Sequence, residues 1–176
     1  PGSINHERRK YDGFIDLALS NPKDNFVVLG DYKKNVTDID YYNKMKKISN
    51  IKLYSQYIDN KIFSKIIKKS HLLFSDIRVN YSSSFISEVY GQSKDSGISY
   101  LMNEFNLPCM LNIDFKNFYE LRNGSLYFEN YDNMHKIYNS LKINKKYLHL
   151  LIKKLQKDTK NFNINNYSKK FNKSFF

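Results

Sequence analysis

Ser96 and Gly97 lie where a polar loop meets an apolar-periodic run, in Gln92–Leu111, QSKDSGISYLMNEFNLPCML. A serine and a glycine at that boundary predict the start of a helix that Pro108 ends, with a short buried strand beyond it. The first turn of such a helix carries free backbone N–H groups and the positive end of the helix dipole, roughly half a unit charge. Phosphate binding is the chemistry this arrangement supports. Capping by Ser96 alone, with Gly97 easing the turn, is the other reading of the same residues. Other reactive types lack company. His6, His71, His135 and His149 are scattered, with no i, i+4 pair and no cysteine neighbour, so no metal-ligand pattern forms. Ser82, Ser83 and Ser84 have no histidine nearby in sequence to activate a hydroxyl. Cys109, the single cysteine, sits in the run PCML and reads as a buried packing thiol.

The composition bounds what these residues can belong to. A chain of 176 residues fits one domain that buries about two thirds of its unfolded surface. With 41% hydrophobic and 16% aromatic residues it is not a disordered chain. No run approaches the ~20 apolar residues of a membrane span, and one unpaired cysteine fits a reducing, cytoplasmic setting. The net charge of +12 comes from 29 basic residues, of which only Arg8, Arg9, Arg78 and Arg122 are arginines. Nucleic-acid readers favour arginine forks, and no helix-turn-helix, zinc finger or RNA-recognition motif is present, so no nucleic-acid partner is expected. A solvated lysine surface is the reading preferred, with attraction to an anionic membrane surface, hence a peripheral place at the inner membrane face, as the alternative. Pro1-Gly2-Ser3 looks like a cloning remnant ahead of a fragment of a longer protein.

The elements that must position Ser96 and Gly97 alternate between helical patterns and short apolar runs. Tyr11–Leu19 has helical spacing, and FVVLG, Phe26–Gly30, reads as a strand buried on both faces and closed by glycine. A helix about Ile39–Ile48, the strand Ile51–Ser55, a helix capped by Asp59 or Asn60 and running to Lys69, and the strand His71–Ile77 follow. After a polar loop, Arg78–Lys94, long enough to be a substrate or partner loop, come the Ser96 helix and the strand CMLNI. A short helix about Phe118–Leu121 and the strand SLYFE lead to a helical remainder with breaks near Asn144 and Asn163. Helices between continuously apolar strands predict an open parallel sheet flanked by helices, the α/β class. Ligands bind such sheets beyond the carboxyl ends of the strands, where strand order reverses. No GxGxxG or P-loop is present to support a dinucleotide or ATP reading.

The order NFVVLGD, NIKLYSQYIDNKIFSKIIKKSHLLFSD, SGISYLMNEFNLPCMLN, ELRNGSLYFENYDNMHKIYNSL resembles the C-terminal, nucleotide-sugar-binding, Rossmann-like half of a GT-B glycosyltransferase. The resemblance covers about Arg8 to Ile143, and FNINNYSKKF is similar to that family's closing helix. It implies a nucleotide-binding domain at 4–160 after the remnant 1–3, with a helical tail at 161–176. It also implies a donor nucleoside-diphosphate sugar, no separate cofactor, and an acceptor-binding N-terminal domain as the partner that this fragment would need for activity. Carried over by position, Arg9 and Lys10 would hold the donor diphosphate together with the amides of Ser96 and Gly97. The loop at Tyr57 and Ile58 would read the base, and Gly30 would close the strand beside the nucleotide. The alternatives are solvated charges for Arg9 and Lys10 and a packed aromatic for Tyr57.

The retaining members of that family carry two glutamates, the first just ahead of the helix and the second on it. Here the first place falls near Lys94 or Asp95 and the second near Met102, so the pair is absent in register. With a slipped alignment Asp95 would face the sugar and Glu104 the ribose. A non-catalytic binding or assembly module that kept the fold is the second functional class these residues allow.

Overall fold

Five apolar runs of the sequence form strands in a computed structural model that describes residues 4–30, 36–54, 58–82, 86–94 and 96–160. Strands β1 (Phe26–Leu29) and β2 (Ile51–Tyr54) pair in parallel, Phe26 opposite Ile51. Strands β3 (Leu73–Ser75), β6 (Cys109–Asn112) and β7 (Ser125–Phe128) form a second parallel set in the order β3-β6-β7. Between β3 and β6 the chain makes an antiparallel hairpin, β4 (Asn80–Ser82) with β5 (Ser87–Val89). The sequence predicts only a polar loop there. Its serines hide the pattern, but Val79 and Tyr81 turn inward to the core, and Arg8 lies 4.9 Å over the Tyr81 ring.

The helices are α1 (Asp12–Ser20), α2 (Val36–Lys46), α3 (Asn60–Lys69), α4 (Gly97–Phe105), α5 (Tyr131–Ile143) and α6 (Lys145–Thr159), with a 3-10 segment at Tyr119–Gly124. The caps are those the residue types predict. Asp59 accepts from Lys61 N, Ser96 from Ile98 N and Asn144 from Tyr147 N, and Asn144 is also the expected break between α5 and α6. The second break, near Asn163, and the tail 161–176 lie outside the described residues.

Alternation along the strands sends side chains to two cores. Phe26, Met110, Leu126 and Phe128 pack with α1 and α5, and Met45 of α2 joins them. Leu29, Leu73, Cys109 and Leu111 pack on the other face with Ile67 of α3, Ile98 and Met102 of α4, and Leu155 of α6. The helix after β1 thus lies on one face and the helix after β2 on the other. Right-handed crossovers then require the strand order to reverse at β1, so that β3 stands on the side of β1 away from β2. A cavity of about 920 Å³ is lined by Val27, Val28 and Leu29 from β1 and by Leu73, Phe74 and Ser75 from β3, which places it at that reversal.

Candidate functional site

The carboxyl end of this cavity is closed by the segment before α1. Asn5, buried, accepts the amides of Arg8 and Arg9 on its carbonyl and that of Glu7 on its side chain, which makes a tight turn. The segment then runs antiparallel along the extension of β3: Lys10 N donates to Asp76 O at 2.9 Å, Arg78 N donates to Arg8 O at 2.9 Å, and Arg9 bridges Ile77. Arg9, Lys10 and Asp76 all line the cavity. The resemblance grouped Arg9 and Lys10, and the fold does bring them to the carboxyl end of the strands.

Asp76 is the residue that sequence reasoning missed. It is 3% exposed, and its Oδ1 has no hydrogen-bond partner in the structure. Burial pushes its carboxyl above the usual range, and Asp114 and Asp12 push the same way, while Lys10 and Arg78 pull it down. A buried carboxyl oxygen without a partner, on a residue that lines a cavity, is costly to keep and marks Asp76 as a candidate to accept a hydroxyl or amine of a ligand. The one signal for it in the sequence is an aspartate ending an apolar strand, in HLLFSD. Asn112 stands beside it, its side chain accepting from Ile77 N at 3.1 Å and donating to Ile77 O at 3.0 Å, which fixes the turn after β3.

A second pairing at this end joins residues 32 apart. Asp38, fully buried in the first turn of α2, accepts from His6 N at 2.8 Å and lies 2.9 Å from His6 Nδ1. His6 O in turn accepts from Arg78 Nε at 2.8 Å. The pair anchors the segment over the strand ends. Sequence spacing does not reveal this pairing, because the fold brings Asp38 to His6 across 32 residues.

Ser96 is buried and Gly97 exposed, and a Cβ built on Gly97 meets nothing within 4 Å. The N-terminus of α4 is therefore open to an approaching group, and Gly97 is not there to relieve crowding. Gly30 closes β1 with φ 153°, a conformation that suits glycine. Neither Gly30, Ile58, Ser96 nor Gly97 lines the 920 Å³ cavity, so the residues carried over by resemblance do not converge on one space. Glu104 is exposed in the last turn of α4, about 10 Å along the helix from Gly97. Met102, at the register position of the second glutamate, is fully buried and contacts Asn117. Tyr57 and Asp95 lie outside the described residues. Cys109 is buried, and its thiol is pushed up by burial, as a packing residue requires.

Comparison with known proteins places the fold. The chain is an open parallel α/β unit that matches part of a GT-B glycosyltransferase. One match is to an alpha,alpha-trehalose-phosphate synthase (UDP-forming) from Burkholderia vietnamiensis, with a TM-score of 0.64 and 7% sequence identity, over 98% of this chain and 42% of that one. The chain thus spans about two fifths of the length of the structure it matches. No family model matches the sequence, and no curated protein matches it. At this identity the likeness is one of fold.

Proposed function

We propose that the chain is the donor-binding half of a glycosyltransferase, taking a nucleoside-diphosphate sugar at the carboxyl ends of β1 and β3. The observation that carries this reading is the cavity at the reversal of strand order, rimmed there by Arg9, Lys10 and Asp76, whose Oδ1 has no hydrogen-bond partner. In open α/β sheets that crevice is the usual ligand site. The matched synthase is named as UDP-forming, which makes a uridine nucleotide the first donor to test. In this reading the diphosphate lies against Arg9 and Lys10 at the cavity rim and extends out of the cavity toward the amides that open α4, and these groups stabilise the charge that builds on the leaving group as the glycosidic bond breaks. Asp76 accepts a sugar or ribose hydroxyl. The acceptor comes from a second domain, and the inner face of a membrane is a place such a basic chain could work.

One observation favours a different class. The position of the second family glutamate is the buried Met102, and Glu104 points to solvent, so the carboxylates that handle donor in retaining enzymes have no counterpart among the described residues of α4. A binding or assembly module would show that pattern. A thermal-shift series with UDP, GDP, ADP and their glucose conjugates separates the two. At a hundred times Kd a nucleotide stabilises by roughly 2.7 kcal/mol, a rise of several degrees for this size. No rise with any of them at millimolar concentration favours the assembly module.

A further inference from the structure

The ladder bonds of β1 and β3 determine which edges stay open. Phe26 N donates to Asn50 O, so in a parallel pair Phe26 and Val28 bond β2, and the amides and carbonyls of Val27 and Leu29 point away from it. Leu73 N donates to Pro108 O, so Leu73 and Ser75 bond β6, and those of Leu72 and Phe74 point away. Both sets of outward groups belong to residues that line the 920 Å³ cavity. Two parallel strands of one fold thus present backbone edges to a shared space, propped by Phe14, whose ring lies 5.6 Å from Phe26 and 5.9 Å from Phe74. The chain itself shows what this edge of β3 accepts. At its carboxyl end Asp76 O is bonded by Lys10 N, from a segment lying antiparallel.

We propose that the cleft between β1 and β3 takes an extended peptide segment as an added strand, apolar where it passes between them and acidic where it leaves the amino-end rim. Main-chain groups of such a segment satisfy both edges, the mode of recognition known as β-augmentation. Its alternating side chains meet Phe14, Phe74 and Leu141 on one face and Ile66 and Ile67 on the other. An acyl chain would fill the same space but leave the backbone donors unbonded.

The amino-end rim sets the charge. Lys23, Lys69 and Lys145 line the cavity there with no carboxylate partner among the described residues, while Lys52 of β2 leans the other way, its Nζ 5.2 Å from the centre of the Tyr54 ring at the carboxyl end of that strand. Asp24 is engaged by Lys142 at 2.7 Å and by Tyr138 at 2.9 Å. The carboxyl ends of α1, α3 and α5 bring about half a negative charge each to this rim, and the start of α6 returns half a positive one. About two positive charges remain uncompensated, which favours an acidic segment. The inference is independent of the donor reading, which concerns the opposite end of the strands.

The test is amide exchange by NMR on the full chain, with an amidated octapeptide of alternating valine and phenylalanine ending in three glutamates as the probe. Without peptide, the amides of Val27, Leu29 and Phe74 exchange at least ten-fold faster than those of Val28 and Ser75, and peptide slows them at least ten-fold. Val27→Pro removes an amide outside the ladder and abolishes binding with the unfolding midpoint nearly unchanged, whereas Val28→Pro breaks the β2 ladder and lowers that midpoint. Replacing the glutamates by glutamine weakens binding several-fold, as does raising the salt. Equal protection of Val27, Leu29 and Phe74 in the free protein would mean that β1 and β3 bond each other directly, and it would overturn the proposal. So would unfolding by Val27→Pro, a glutamine peptide that binds as well as the acidic one, or protection by hexadecyl phosphate but not by peptide.

Discussion

The two ends of the sheet are held by different kinds of bond. At the carboxyl end a main-chain ladder, Lys10 N to Asp76 O, Arg78 N to Arg8 O, and Gly91 N to Lys94 O at 2.8 Å, is backed by buried side chains, Asp38 on His6 and Asn112 on Ile77. At the amino end long, partly exposed side chains add to main-chain bonds such as Phe26 N to Asn50 O and Leu73 N to Pro108 O. Asn50 Nδ2 donates to the carbonyls of Ala18, Asn21 and Asp24, and Lys142 reaches both Asp24 and Asn21. Backbone geometry fixes positions to fractions of an ångström and tolerates few substitutions, whereas long side chains adapt. The end where a diphosphate would be gripped is the rigid one. The end with surplus charge is the adaptable one.

The largest effect expected from this contrast is at Gly91. It has φ 82°, and a Cβ there would stand 2.4 Å from the carbonyl oxygen of Lys116, a backbone atom that cannot swing aside. Gly91→Ala combines the cost of a left-handed conformation with that clash, roughly 3 kcal/mol, and should lower the unfolding midpoint by roughly 10 °C. A loss of only a degree or two would show that the carboxyl end is as adaptable as the other.

Next comes the start of α4, where binding and stability should move apart. Gly97→Asp places a carboxylate in open space in the first turn, where negative charge is favoured by ~0.3–1 kcal/mol. The fold should keep or slightly raise its midpoint. Nucleotide affinity measured by calorimetry should fall at least ten-fold, and Arg9→Ala should cost less, since one charge is lost while the amides remain. Undiminished affinity in Gly97→Asp would put the phosphate elsewhere.

Asp76 separates stability from function in another way. Its carboxyl titrates above the ordinary value, about 4, because it is buried. The unfolded chain therefore loses this proton more easily than the folded one. The group's contribution to stability is present in full below the ordinary value and is lost as pH rises through its own raised one. Asp76→Asn should be more stable than the parent at pH 7, no more stable at pH 3, and weaker in nucleotide binding. Equal midpoints at both pH values would mean that Asp76 is solvated and paired in solution.

Much of the sheet was legible because a strand buried on both faces is a run of apolar residues, as in FVVL, CMLN and SLYF. The caps Asp59 and Ser96 and the helix break at Asn144 were legible because these signals are local. The hairpin at Asn80–Val89 was not, since its burial is partial and its residues are largely polar. The site was less legible than the fold. Arg9 with Ile77 and His6 with Asp38 are long-range pairings that no local pattern encodes, and Asp76 acquires its character only from what buries it.

The smallest effect is expected at the amino end, from Lys69→Gln. Lys69 is the last residue of α3, where a cation offsets the helix dipole, but Ser70 already meets two of the terminal carbonyls, its N–H that of Ile67 and its hydroxyl that of Ile66. With the carbonyls so engaged and other lysines near, the loss should be about 0.3 kcal/mol, and it should vanish in high salt. The same change removes one of about two surplus charges from the rim, so the acidic peptide should bind it several-fold more weakly while nucleotide affinity stays at the parent level. If Lys69→Gln instead weakens nucleotide and peptide alike, the two ends of the cleft act as one site, and the division drawn between them is wrong.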